Sequence, residues 1–85
     1  MSPRSEDLQA LGEAIREARK KAGLSQEQLA LDAAVDRAFV SGAERGKRNV
    51  TLSNLLKLCR ALDERPSTLF KRFEDIAGWK TGQSS

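Results

Sequence analysis

Residues 25–46 read Ser-Gln-Glu-Gln-Leu-Ala-Leu-Asp-Ala-Ala-Val-Asp-Arg-Ala-Phe-Val-Ser-Gly-Ala-Glu-Arg-Gly, and this stretch decides the fold. Ser25 stands three residues ahead of Gln28 and just before Leu29 and Ala30. Its hydroxyl is placed to accept from a helix amide while Gln28 reaches back to the Ser25 amide, the reciprocal arrangement of a capping box. Asp36 is assigned the same duty for a second helix, its carboxylate accepting from the amides of Arg37-Ala38-Phe39 and favouring the positive end of the helix dipole. Residues 33–35 form the turn between the two. Gly46 tolerates positive φ, so it closes the second helix after Arg45 and leads into the basic stretch Lys47-Arg48-Asn49.

Helical periodicity continues on both sides of this pair. Leu8, Leu11, Ile15 and Ala18 recur on one face of a helix that begins near residues 5–7 and stops at Gly23. Thr51 or Ser53 caps a fourth helix whose apolar stripe is Leu52, Leu55, Leu56, Cys59 and Leu62, ending near Asp63. Pro66 suits the first turn of a last helix with the stripe Leu69, Phe70, Phe73 and Ile76. The expected architecture is all-α, a compact five-helix domain with short connections. At 85 residues the chain holds one domain, ordered over about residues 6–79 with flexible polar termini.

Composition excludes several function classes. No apolar run approaches membrane-spanning length, and the first seven residues lack the apolar centre of a secretory signal, so a cytoplasmic location is expected. The single Cys59 forms no internal disulfide and is most simply core packing, and without histidine there is no plausible zinc set. Neither a Ser/His/Asp set nor a nucleotide-binding loop is present, and Glu6, Asp7, Glu13 and Glu17 read as a solvated helix face. Neither catalysis nor a cofactor nor a metal is expected.

The net charge of +3 becomes informative once divided along the chain. Residues 1–36 carry five basic and seven acidic side chains, residues 37–60 carry six and one, and residues 61–85 carry four of each. The cationic excess therefore falls on the second helix of the central pair and the segment after it. That coincidence points to a nucleic-acid partner.

The residues that carry the pattern are Arg16, Arg19, Gly23-Leu24-Ser25-Gln26, Leu29-Ala30, Val35, Val40-Ser41, Glu44-Arg45-Gly46 and Asn49. In type and spacing they resemble the Cro/C1-type, or xenobiotic-response-element, family of helix-turn-helix proteins, from about residue 8 to residue 70. Residues 36–42 are similar to those of restriction-modification controller proteins and of many small bacterial regulators. Three positions depart from the family pattern: Ala43 replaces a larger apolar residue, Ala34 replaces a common turn glycine, and Val50 replaces a frequent proline. Ala34 is therefore expected to adopt a left-handed backbone at some cost.

The resemblance implies a sequence-specific transcriptional regulator, a repressor or autoregulating controller, that binds double-stranded DNA as a homodimer on a pseudo-palindromic operator. Arg37, Ala38 and Gly42 would face the groove with Phe39 at its border, Arg37 offering two donors to a guanine and Gly42 leaving room for close approach. Gln26, Ser41, Lys47, Arg48 and Asn49 would meet the phosphate backbone. Arg19 and Glu44 match a family ion pair expected to be largely buried. Phe73, Ile76 and Trp79 offer surplus apolar surface for the dimer, with Trp79 equally able to fold back on its own subunit. Contact with RNA polymerase is open in this reading. An antitoxin that masks a toxin is the alternative, against which the short tail after Ile76 argues.

Overall fold

The computed structural model describes residues 4–79 and has five α-helices: α1 (Ser5–Lys21), α2 (Gln26–Ala33), α3 (Arg37–Glu44), α4 (Leu52–Leu62) and α5 (Pro66–Ala77). Of the termini expected to be flexible, residues 1–4 and 80–85, residues 1–3 and 80–85 lie outside the described residues. No helix among those described is long and apolar enough to cross a membrane.

One large side chain from each helix is fully buried: Ile15 from α1, Leu29 from α2, Val40 from α3, Leu58 from α4 and Leu69 from α5. All five belong to one cluster. Burying each of them stabilises the fold by about 1.5–3 kcal/mol. The shared cluster is what makes the eight-residue helices α2 and α3 viable, since helices this short are not stable in isolation.

The five helices also end alike. Residues 23, 34, 46, 63 and 78 all have left-handed backbones, with φ between 53° and 75°. The following amide folds back five residues in each case: Leu24 to Arg19 O, Val35 to Ala30 O, Lys47 to Gly42 O, Glu64 to Cys59 O and Trp79 to Glu74 O, at 2.9–3.1 Å. This Schellman-type stop satisfies carbonyls that a helix end otherwise strands and reverses the chain within two residues. Glycine occupies three of these positions; Ala34 and Asp63 hold the same conformation without it, and Ala34 accepts the left-handed turn expected of it.

The helix starts differ in part from the sequence reading. Ser25 Oγ accepts from the Gln28 amide at 3.0 Å and Thr51 Oγ1 from the Asn54 amide at 3.1 Å. Gln28, however, does not complete the capping box: its side-chain amide donates one turn forward to Asp32 at 2.8 Å. Nor does the Asp36 carboxylate cap α3. The Asp36 carbonyl already accepts from the Phe39 and Val40 amides, at 3.0 and 3.2 Å, so the donor that a capping side chain would take is occupied.

The stripes on α4 and α5 also need correction. The buried face of α4 is Leu55, Leu58, Cys59 and Leu62, while Leu52 and Leu56 are exposed. At 3.6 residues per turn Leu52 and Leu56 lie about 70° and 110° from the centre of that face. On α5, Leu69 is buried and Phe73 half-buried, whereas Phe70 points outward about 100° from Leu69. Ile76 is in phase with Leu69 but stays exposed in the last turn.

Helix α1 passes close against the end of α3. A Cβ on Gly12 would stand 2.6 Å from the Glu44 carbonyl oxygen and closer still to that of Ala43. Both obstacles are backbone, which cannot rotate away. Gly12→Ala gains about 1 kcal/mol of helix propensity, yet it is expected to lower stability by about 1–3 kcal/mol through overpacking. Urea unfolding of the variant tests this: a midpoint at or above that of the parent would show that the two helices are not held at this separation.

Candidate nucleic-acid interface

Helix α3 has two unlike faces. Val40, Ala43 and Glu44 point inward, while Arg37, Ala38 and Arg45 are exposed and Phe39 and Ser41 are half-buried. The inward face is fixed by one carboxylate. Glu44 exposes only 3 % of its side chain and Arg19 of α1 only 11 %. Arg19 donates from Nε to Glu44 Oε2 at 2.6 Å and from Nη2 to Oε1 at 3.0 Å, and Gln26 Nε2 of α2 donates to the same Oε1 at 3.0 Å. Arg19 spends its remaining nitrogen on the Leu24 carbonyl at 2.9 Å. The hydrogen bonds and charge of Glu44 hold the Arg19 guanidinium above the ordinary arginine pKa. Helices α1, α2 and α3 thus meet at one satisfied ion pair, and no buried side-chain nitrogen or oxygen among the described residues lacks a partner.

The outward face carries the cations. Arg37 begins α3 and makes no ion pair or side-chain hydrogen bond among the described residues, so its donors are free for a ligand; in particular it does not pair with Asp36. Lys47, Arg48 and Asn49 follow the Gly46 stop and are exposed. Arg45 extends the same face one turn beyond Ser41, donating weakly to the Ser41 carbonyl at 3.3 Å. It stands four residues after Ser41 in sequence, and that helical spacing is the signal that could have placed it among the candidates.

Three of the expected site residues are engaged differently. Gln26, assigned to a phosphate, spends its side-chain amide on Glu44. The room expected at Gly42 is filled: Gly42 is buried, and the Arg48 side chain lies against it. The Arg48 guanidinium in turn sits 5.8 Å from the centre of the Phe39 ring. The Phe39 border is therefore roofed by an arginine from the following loop. Proximity across a helix stop is a three-dimensional outcome that residue spacing does not reveal.

On α5, Phe73 meets Phe70 edge-on at 6.5 Å and Trp79 at 5.9 Å. Trp79 thus folds back onto its own chain while 56 % exposed. Ile76 and Phe70 remain on the surface nearby in sequence. A second, unforeseen ion pair braces this helix: Arg72 donates from Nε and Nη2 to Glu64 at 2.9–3.1 Å and lies 3.7 Å from Glu17 of α1. Cys59 is buried, and burial together with the Glu64 charge pushes its thiol pKa up, which disfavours the reactive thiolate.

Residues 15–69 match the family described as helix-turn-helix. The control protein C.BamHI of Bacillus amyloliquefaciens is 41% identical over 59 residues, 68% of this chain and 73% of that protein. Control protein C.SmaI of Serratia marcescens is 42% identical over 62 residues, 73% of this chain and 74% of that protein. Among solved structures, the restriction-modification controller protein C.AhdI from Aeromonas hydrophila superposes with a TM-score of 0.73 at 53% identity, covering 75% of this chain and 97% of that one. The C.Esp1396I controller, solved as a tetramer in complex with its natural 35-base-pair operator, superposes with a TM-score of 0.79 at 27% identity, covering 86% and 96%. The chain belongs to the helix-turn-helix family, among the restriction-modification controller proteins.

The Glu44 junction sets the angle at which α3 stands on the domain. Glu44→Gln leaves Arg19 charged, enclosed and without its anion, and is expected to cost about 3–5 kcal/mol, a large share of the stability of a small domain. Denaturant unfolding measures the loss. A variant that unfolds with the parent would show the ion pair to be worth no more than an exposed one.

Proposed function

We propose that this protein is a transcriptional regulator that binds double-stranded DNA as a homodimer and reads a pseudo-palindromic operator by laying α3 in the major groove. The observation that carries the reading is the free guanidinium of Arg37 at the exposed start of a helix whose opposite face is locked by Glu44. A planar donor on a rigid support suits a guanine edge, with its two acceptors O6 and N7. Ala38 beside it suits a thymine methyl. Ser41, Lys47 and Asn49 supply backbone contacts that set register without reading sequence. One eight-residue helix touches few base pairs, so two copies related by a two-fold axis, on half-sites about one helical turn apart, give the required discrimination. The exposed Phe70 and Ile76, with half-buried Phe73, supply apolar surface for that pairing. The solved complex of the C.Esp1396I tetramer with its natural operator supports operator binding by this chain. Whether the bound dimer represses or activates depends on where its operator lies relative to RNA polymerase, because one DNA-reading surface serves both outcomes.

Selection of bound duplexes from a random pool, followed by titration at several salt concentrations, tests the proposal. An inverted repeat and a steep loss of affinity with salt are expected. Arg37→Ala relaxes preference at one base per half-site by about 1–3 kcal/mol, whereas Lys47→Ala weakens all duplexes alike and flattens the salt slope by about one. Equal losses for Arg37→Ala on selected and random duplexes would remove it from the reading role.

A further inference from the structure

Gly42 occupies the middle of α3, where alanine would favour the helix more, and its backbone has no left-handed angle that would demand glycine. Its reason lies in what surrounds it. Apart from its chain neighbours and the backbone of its own helix, the three atoms nearest to a Cβ built there all belong to Arg48: Cγ at 2.7 Å, Nε at 3.4 Å and Cδ at 3.5 Å. The helix stop at Gly46 makes this possible, since the Lys47 amide donates back to the Gly42 carbonyl at 2.9 Å and returns the chain over α3. The Phe39 ring then lies 5.8 Å from the Arg48 guanidinium, within the range of a cation–π attraction.

We propose that Gly42 is a positioning residue acting through Arg48: its missing side chain makes a seat for the arginine stem, and Phe39 holds the guanidinium on the α3 face as a second reader of DNA beside Arg37. The inference rests on the regulatory reading above. Arg48 makes no ion pair among the described residues and is exposed, so its donors are available. Arginine is among the side chains that lose most freedom when ordered. Seating it before the ligand arrives removes part of that loss from binding.

The test is a double-mutant cycle on the duplex that the parent protein selects from a random pool, comparing Gly42→Ala, Arg48→Ala and the double variant. Gly42→Ala is expected to melt no lower than the parent, because the group it displaces is a flexible side chain. It should nevertheless bind the selected duplex about tenfold more weakly, as loss of a base contact does. Arg48→Ala loses at least as much, and adding Gly42→Ala to it loses nothing further. If the two losses multiply, the added methyl strikes the DNA itself and the proposal fails. It fails equally if Gly42→Ala binds like the parent. A DNA-free readout separates this inference from the regulatory reading. In the free protein the Arg48 side-chain NMR resonances are shifted by the Phe39 ring, and Gly42→Ala or Phe39→Leu returns them towards random-coil positions. If the parent selects no duplex, the regulatory reading falls and Arg48 loses its role as reader, while these resonances still decide whether Gly42 seats it. Random-coil shifts in the parent would overturn the seat.

Discussion

The carboxylate of Glu44 is the constraint on which the geometry of the site depends. Burying an ion is costly unless its charge is neutralised and its lone pairs are used. Here the neutralising cation comes from α1 and a further donor from α2, so Glu44 is satisfied only when three helices converge at the end of α3. An apolar contact tolerates sliding, whereas a bidentate arginine–carboxylate pair has one good geometry. The junction therefore fixes orientation more than it adds stability. Orientation is what the proposed seating of α3 in a DNA groove requires.

Close packing and chain reversal complete the fixation. Gly12 lets α1 run against the carbonyls at the end of α3, where an ordinary side chain would push the two helices apart. The left-handed stops at residues 34 and 46 bracket α3, one turning the chain into it and the other folding the basic segment back over it. A helix of eight residues has too few hydrogen bonds of its own to persist. Its neighbours hold it at both ends and along the face of Val40, Ala43 and Glu44.

The helix count, the two-helix centre and the Pro66 start were legible in the sequence because each follows from local chemistry: a period, a cap, a missing amide hydrogen, a short connection. The left-handed turn at Ala34 was legible through the family pattern, which commonly has glycine there. The Arg19–Glu44 proximity was legible only through family resemblance, since nothing local relates residues 25 positions apart. Features set by competition between partners were not legible. The Gln28 side chain had Ser25 behind it and Asp32 ahead, and it took Asp32. Asp36 lost its capping role to its own carbonyl. Leu52 and Leu56 looked like core because they are hydrophobic, although their helical phase sets them to the sides of the face that the other helices cover. Gly12 passed unread, and Gly42 was read only as room for DNA, for a related reason: a glycine inside a helix carries no sign of what approaches it. The Arg72–Glu64 pair joins α5 to the loop before it across eight residues, a separation that no helical spacing signals.

The division of charge along the chain takes on a spatial meaning once Glu44 is placed. It is the only acidic residue between positions 37 and 60, and it is turned away from solvent and neutralised by an arginine from another helix. Had Glu44 faced outward, it would have stood close to Arg45 and Lys47 and cancelled part of the field that draws a polyanion in. With it sequestered, the exposed side of α3 and the loop after it present Arg37, Arg45, Lys47 and Arg48 without an acidic group of their own segment among them. Coulombic attraction in water is weak for any one such charge at a distance, but it sums over a cluster of one sign. The ion pair that orients α3 thus also withdraws the only anion of residues 37–60 from the surface, and a single buried carboxylate serves both a mechanical and an electrostatic requirement.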